Sequence, residues 1–102
     1  MSAIDTSEFE AKVSAQGYEI FQRTLGPLEG LSDHAHDYDV WGLVTSGEFR
    51  ITVDGATTGY REGQEFRLEA GCDHRESAGP EGVSFVVGRR TRQGGLTGPR
   101  NQ

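Results

Sequence analysis

The chain contains three histidines, and their spacing is the first feature with chemical potential. His34 and His36 are two residues apart on a segment that reads as a strand. Side chains at i and i+2 of a strand share a face, so both imidazoles can approach one ion. His74 opens a later strand and can complete a triangular face. Three ring nitrogens with open positions suit one divalent transition metal, Fe, Zn, Ni, Mn or Cu. The spacing alone also fits ordinary surface or hydrogen-bonded histidines. Glu76 lies two residues after His74, so a continuous strand turns it to the same interior. There it would be a ligand, a hydrogen-bond partner of a histidine, or a catalytic general base. A bulge after His74 would turn it outward instead. Cys72 has the same parity but lies in a turn, where it reads as a partly buried thiol rather than a ligand.

The elements that must position these groups are short. Gly accounts for 15 of 102 residues, which favours turns over long helices. Ser7 to Glu10 reads as a capping box, with Ser7 capping and Glu10 reaching back. Phe9 and Val13, at i and i+4, would form the buried stripe of a two-turn helix ended by Gly17. The following strands are read as Tyr18–Leu25, Leu31–His36, Val40–Thr45 and Glu48–Val53, then a return to Tyr60, Glu65–Leu68, a strand from His74, and Val83–Gly88. Turns are expected at residues 26–30, at Ser46-Gly47, at Asp54-Gly55, at Glu62-Gly63 and in a hairpin loop over residues 79–82. About eight short, closely spaced strands with one short helix call for a sandwich or barrel, not a parallel α/β sheet. Trp41 and Leu43 alternate with Val40, Gly42 and Val44. If the latter line the interior, Trp41 and Leu43 point outward and need cover from the helix or from a second subunit.

The charge is uneven. Residues 1–88 carry 6 basic and 16 acidic side chains, a net of −10, while residues 89–102 carry four arginines and no acid, a net of +4. So acidic a body argues against nucleic acid, which needs clustered cations. No apolar run approaches the roughly 18 residues of a membrane span, and the N-terminus lacks the pattern of a signal peptide. A cytoplasmic location is the default expectation. One domain over residues 1–91 and a mobile tail over 92–102, rich in Gly, Arg, Gln, Pro and Asn, are expected.

Two stretches carry a resemblance to a known family. The first holds His34-Ala35-His36 and ends at Gly47. The second runs from Gly63 through Gly71 to His74 and Ala78. Together they resemble the two motifs of the cupin family, in which a glycine-flanked His-x-His with a following glutamate is completed by a later histidine. The positions of all three histidines and of Gly47, Gly63 and Gly71 match without a gap. The resemblance covers residues ~31 to 88 and points to a small single-domain cupin of the type-2, RmlC-like kind. It implies an all-β, double-stranded β-helix (jelly-roll) barrel with a metal inside. Three positions depart from the pattern. Glu69 replaces a proline and Ala78 an asparagine, both common variations. Val40 stands where the family has its glutamate ligand, and valine binds no metal. Asp39, its neighbour, or Glu76 would then be the possible fourth ligand. Asp37 is a weaker candidate, and both aspartates also read as a solvated turn. A three-histidine centre, as in cupin dioxygenases that lack the glutamate, is the other outcome.

Cupins include dioxygenases, isomerases, decarboxylases, sensor domains and storage proteins, so fold does not fix function. The resemblance implies either a metal-dependent enzyme, of the Fe(II)-type dioxygenase kind and acting on a small organic molecule, or a non-catalytic cupin that binds or senses a small ligand. A homodimer is expected, since small cupins resemble one another in pairing through an outer sheet. Trp41 and Leu43 would supply the apolar patch, and two-fold pairing is the commonest oligomeric form.

Overall fold

The computed structural model describes residues 4–91. The tail expected over 92–102 lies outside the described residues. The elements are α1 (Ser7–Ala15), β1 (Glu19–Leu25), β2 (Gly30–His34), β3 (Tyr38–Val53), β4 (Ala56–Arg61), β5 (Glu65–Leu68) and β6 (His74–Thr91). Among the described residues no helix is long and apolar enough to cross a membrane.

Two long antiparallel strands organise everything else. β3 and β6 pair from Tyr38 opposite Thr91 to Thr52 opposite Arg75. One half of this ribbon is flanked by β1 on β6 and β5 on β3, giving the order β1-β6-β3-β5. The other half is flanked by β2 on β6 and β4 on β3, giving β2-β6-β3-β4. Leu25, Val40, Val44 and Val87 from the first half and Phe49, Ile51 and Ala78 from the second belong to one buried cluster. The two halves therefore pack face to face, as in a jelly roll, with Phe49 stacked on Phe85 at 4.6 Å.

Two expected turns are corrected here. At Ser46-Gly47 and over residues 79–82 the chain does not reverse. It passes through as continuous β3 and β6, with register slips between Val44 and Ser46 and between Gly47 and Phe49. Gly47 has φ +79°, and a Cβ there would lie 2.0 Å from the Gly82 carbonyl oxygen. Glycine marks positive φ and close approach, conditions that a bulge shares with a turn. Asp54-Gly55 is a true hairpin turn, with both residues at positive φ between the paired Val53 and Ala56.

The helix forms where expected, but its cap is displaced. Ser7 is its first residue and Thr6 its N-cap, with no side-chain cap bond. The Thr6 hydroxyl donates instead to the Glu10 carboxylate at 2.6 Å, while Asp5 accepts the Ser7 amide. Phe9 and Val13 are buried against Tyr18, Trp41, Leu43 and Val86. Trp41 and Leu43 do point away from the interior, and the chain's own helix covers them, leaving 7% and 6% exposed. They are therefore not the open patch on which the dimer expectation rested.

Candidate metal centre

β2 and β6 meet where the histidines lie. His34 ends β2 and stands opposite His74, the first residue of β6. Strand alternation carries Glu76 to the same side as His74: the register slip between their rungs falls on β2, between Leu31 and His34, while β6 stays in regular register with β3 at Arg75 and Glu76. His36 is not on a strand, because β2 stops at His34. The bend before β3, tied by the Gly71 amide donating to the His36 carbonyl at 2.8 Å, brings its ring in by another route. The His36 ring centroid lies 4.8 Å from that of His34 and 5.2 Å from that of His74. Tyr38 stacks on its other side at 4.6 Å.

The ring orientations are fixed by backbone. His34 Nδ1 donates to the Ser32 carbonyl at 2.8 Å, and His74 Nδ1 donates to the Cys72 carbonyl at 3.0 Å. A carbonyl only accepts, so Nδ1 carries the proton in each ring and Nε2 is the atom turned inward. This is the support that metal-binding imidazoles ordinarily have. All three Nε2 atoms face one carboxylate oxygen. Glu76 Oε2 lies 2.8 Å from His74, 3.4 Å from His34 and 3.9 Å from His36. A carboxylate oxygen and an imidazole lone pair repel at such range unless a cation, proton or metal, lies between them.

The donor set fits a divalent ion. One atom from each of His34, His36, His74 and Glu76 lies within 4.8 Å of the others. Ligands at about 2.1 Å from one ion stand at most about 4.2 Å apart, so the outermost pair would draw together by roughly half an ångström to share an ion. His74 is buried and Glu76 nearly so, while His34 and His36 are partly exposed and leave one side open. Burial is the largest influence holding the His36 pKa below its ordinary value. The neighbouring His34, His74 and Arg89 act in the same direction, and Glu76 opposes them. The neutral, ligating form of the ring is thereby favoured.

The remaining candidates go elsewhere. Asp39 does not join the group. Its carboxylate accepts the Ala70 amide at 2.9 Å and the Arg90 guanidinium at 3.3 Å. Of the two possible fourth ligands, the structure brings only Glu76 to the imidazoles. Val40 is in the apolar core, and Asp37 is exposed on the bend. Cys72 is a partly buried free thiol that serves the site through its carbonyl. Sequence reasoning did not single out Arg23, and it counted Arg89 only as part of a basic end. Both border the hollow beside His36 and Glu76. Their signal was parity: Arg23 is two residues before buried Leu25, and Arg89 two after buried Val87.

Comparison with known proteins agrees with this architecture. A structure from Rhizobium leguminosarum, of unknown function, superposes with a TM-score of 0.69 at 17% identity, covering 76% of this chain and 73% of the other. An RmlC-like cupin from Shewanella frigidimarina gives 0.63 at 22%, covering 76% and 69%. The Cupin_2 domain of an XRE family transcriptional regulator from Enterobacter cloacae gives 0.63 at 19%, covering 78% and 86%. At these identities the likeness is one of fold. No curated protein matches the chain by sequence. The family model described as a cupin domain, Cupin_2, matches residues 22–87, a stretch that holds all four converging side chains, and the chain belongs to that family.

Proposed function

We propose that His34, His36, His74 and Glu76 hold one divalent transition-metal ion, and that this centre acts on a small organic molecule. The observation that carries the reading is the convergence of three Nε2 atoms on one carboxylate oxygen, with one side open. A bound ion of this class supplies Lewis acidity and, if it is redox-active like Fe(II), a place for dioxygen to react. The chain's own groups supply the rest. The Ser32 and Cys72 carbonyls hold two rings in the ligating tautomer, and Tyr38 holds the third ring by stacking. Glu76 lowers the net charge of the centre and is the group placed to take a proton from a substrate. Phe49, Phe66 and Phe85 line the adjoining hollow and give it apolar walls. The dioxygenase-type enzyme is the more specific form of the proposal. A second reading, ligand capture without turnover, draws on the similar domain found in a transcriptional regulator.

Metal analysis of the purified protein comes first, followed by oxygen uptake by the Fe(II)-loaded form with small diketones, thiols and phenols. One ion per chain, lost in His34→Ala and His74→Ala, is the expected result. Uptake that depends on one compound class selects the enzyme. Tight binding without uptake selects the sensor. Absence of metal in both wild type and metal-supplemented protein would sink the proposal.

A further inference from the structure

The three imidazoles are not held alike. The His34 and His74 rings donate from Nδ1 to the carbonyls of Ser32 and Cys72. Among the described residues the His36 ring makes no hydrogen bond, and it hangs from a bend rather than a strand. Its Nε2 stands 3.9 Å from the Glu76 carboxylate, beyond hydrogen-bond reach. What meets its face is Tyr38, nearly parallel at 15° and 4.6 Å. The Arg89 guanidinium lies over the Tyr38 ring at 5.2 Å and over the Phe21 ring at 4.6 Å. Both distances are inside the roughly 6 Å of a cation–π contact. The register brings these groups together. Arg89 stands opposite Val40 on β3 and Glu19 on β1. Tyr38 and Phe21 are two residues from those positions, so alternation puts them on the same face as Arg89. In a body with 16 acids against 6 bases over residues 1–88, cations normally find carboxylates. Among the described residues Arg89 makes no ion pair, not even with Glu19 across the ladder. Its planar group lies on two rings instead.

We infer that Arg89 is a positioning residue: seated on Phe21 and Tyr38, it fixes the Tyr38 ring, and Tyr38 fixes the His36 ring for the cluster. The inference rests on the metal-centre reading for its consequence, metal affinity, but not for the placement of the ring. The sign of the effect separates positioning from charge. A guanidinium near the cluster repels a divalent ion, and the Arg89 charge reaches His36, where it favours the neutral ring. By charge alone, removing Arg89 tightens metal binding. By positioning, removing it weakens binding, because partners that orient a ligating histidine commonly matter about 10–100-fold.

Zn(II) affinity by chelator competition, with the visible spectrum of the Co(II) form, reads that sign on the full chain. Arg89→Met should weaken Zn(II) binding about tenfold and change the Co(II) spectrum in the same sense as His36→Ala. Tyr38→Leu should do the same. Tyr38→Phe, which keeps the ring, should bind as the wild type does. Because Arg89 acts through Tyr38, adding Arg89→Met to Tyr38→Leu should cost nothing further. Unchanged or tighter binding in Arg89→Met, or losses that add in the double variant, overturns the inference. The metal-free chain gives a second readout by proton NMR. The His36 ring protons, identified by their absence in His36→Ala, should resonate upfield under the Tyr38 ring. Tyr38→Leu and Arg89→Met should each reduce that shift, and Tyr38→Phe should not. If no metal binds but the shifts behave in this way, the positioning role stands and the metal-centre reading falls. His36 shifts that ignore Arg89→Met overturn the inference, with or without metal. Melting curves for each variant exclude unfolding as the cause of lost affinity.

Discussion

Glu76 and Asp39 are both acidic and both close in sequence to histidines, yet they do different work. Glu76 projects among three Nε2 atoms, and Asp39 ties the start of β3 to Ala70 and Arg90. Glu76→Gln should therefore weaken Zn(II) affinity by about 10–100-fold, the usual effect of removing an anionic partner from a metal site, with little change in melting. Asp39→Asn should do the reverse. It should cost about 1–3 kcal/mol of stability, as for a buried acceptor that loses its charged partner, with metal content intact. Chelator competition and thermal melting measure both effects, and metal loss in Asp39→Asn would place the wrong carboxylate at the site. The three histidines were legible because their spacing matched a two-motif pattern. The fourth ligand position was not, because Val40 occupies it. What decides between Glu76 and Asp39 is that β6 runs without a bulge through Arg75 and Glu76, a local course that the residue types do not spell out.

The continuity of β3 and β6 is decided where the two long strands bend. Short-strand rhythm, alternation in β3 and the Asp54-Gly55 hairpin were readable from sequence. That Ser46-Gly47 bulges rather than turns was not, since the determinant is the Gly82 backbone 35 residues away, pressed against Gly47. A paired substitution tests this. Gly47→Ala meets both a φ of +79° and a carbonyl oxygen 2.0 Å from the new Cβ, so the bend must shift. Gly55→Ala meets a φ of +81° but nothing within 4 Å, so it should cost only the left-handed strain, about 1–2 kcal/mol. Gly47→Ala should exceed that clearly, to the point of poor folding. It should also lower metal affinity, because the bend sets how β6 delivers His74 and Glu76. Equal melting temperatures for the two variants would remove the close approach as the reason for glycine.

At the scale of the whole molecule, the outer face of β3 needs cover. The helix, not a second copy, lies over Trp41 and Leu43, so a homodimer would have to form elsewhere. Two kinds of contact hold the helix down. Phe9 and Val13 are buried, each worth about 1.5–3 kcal/mol, with Phe9 edge-on to Trp41 at 6.2 Å. Glu65 accepts from Trp41 Nε1 at 2.8 Å and from Lys12 at 3.1 Å. Burial, its largest single influence, raises the Glu65 pKa. The bonds from Trp41 and Lys12, with the charges of Lys12 and Arg67, outweigh it, and the net shift is downward. A depressed carboxylate stabilises the fold above its ordinary range and loses that contribution as pH falls through its folded value, so acid should loosen this contact below about pH 4.5. The Glu65 side chain is 39% exposed, and exposed pairs are worth about 1 kcal/mol or less. Acid should therefore lower the melting temperature by a few degrees without releasing the helix, and Glu65→Gln should lower it at neutral pH and flatten the acid response. Phe9→Ala removes the stronger of the two contacts, at a cost of about 3–5 kcal/mol, and uncovers the apolar face. Trp41 is the only tryptophan, so its emission reports the cover directly. A red shift with concentration-dependent self-association is expected in Phe9→Ala and not in Glu65→Gln. If both variants associate alike, the ion pair rather than the apolar stripe holds the helix, and the ranking of the two contacts is reversed.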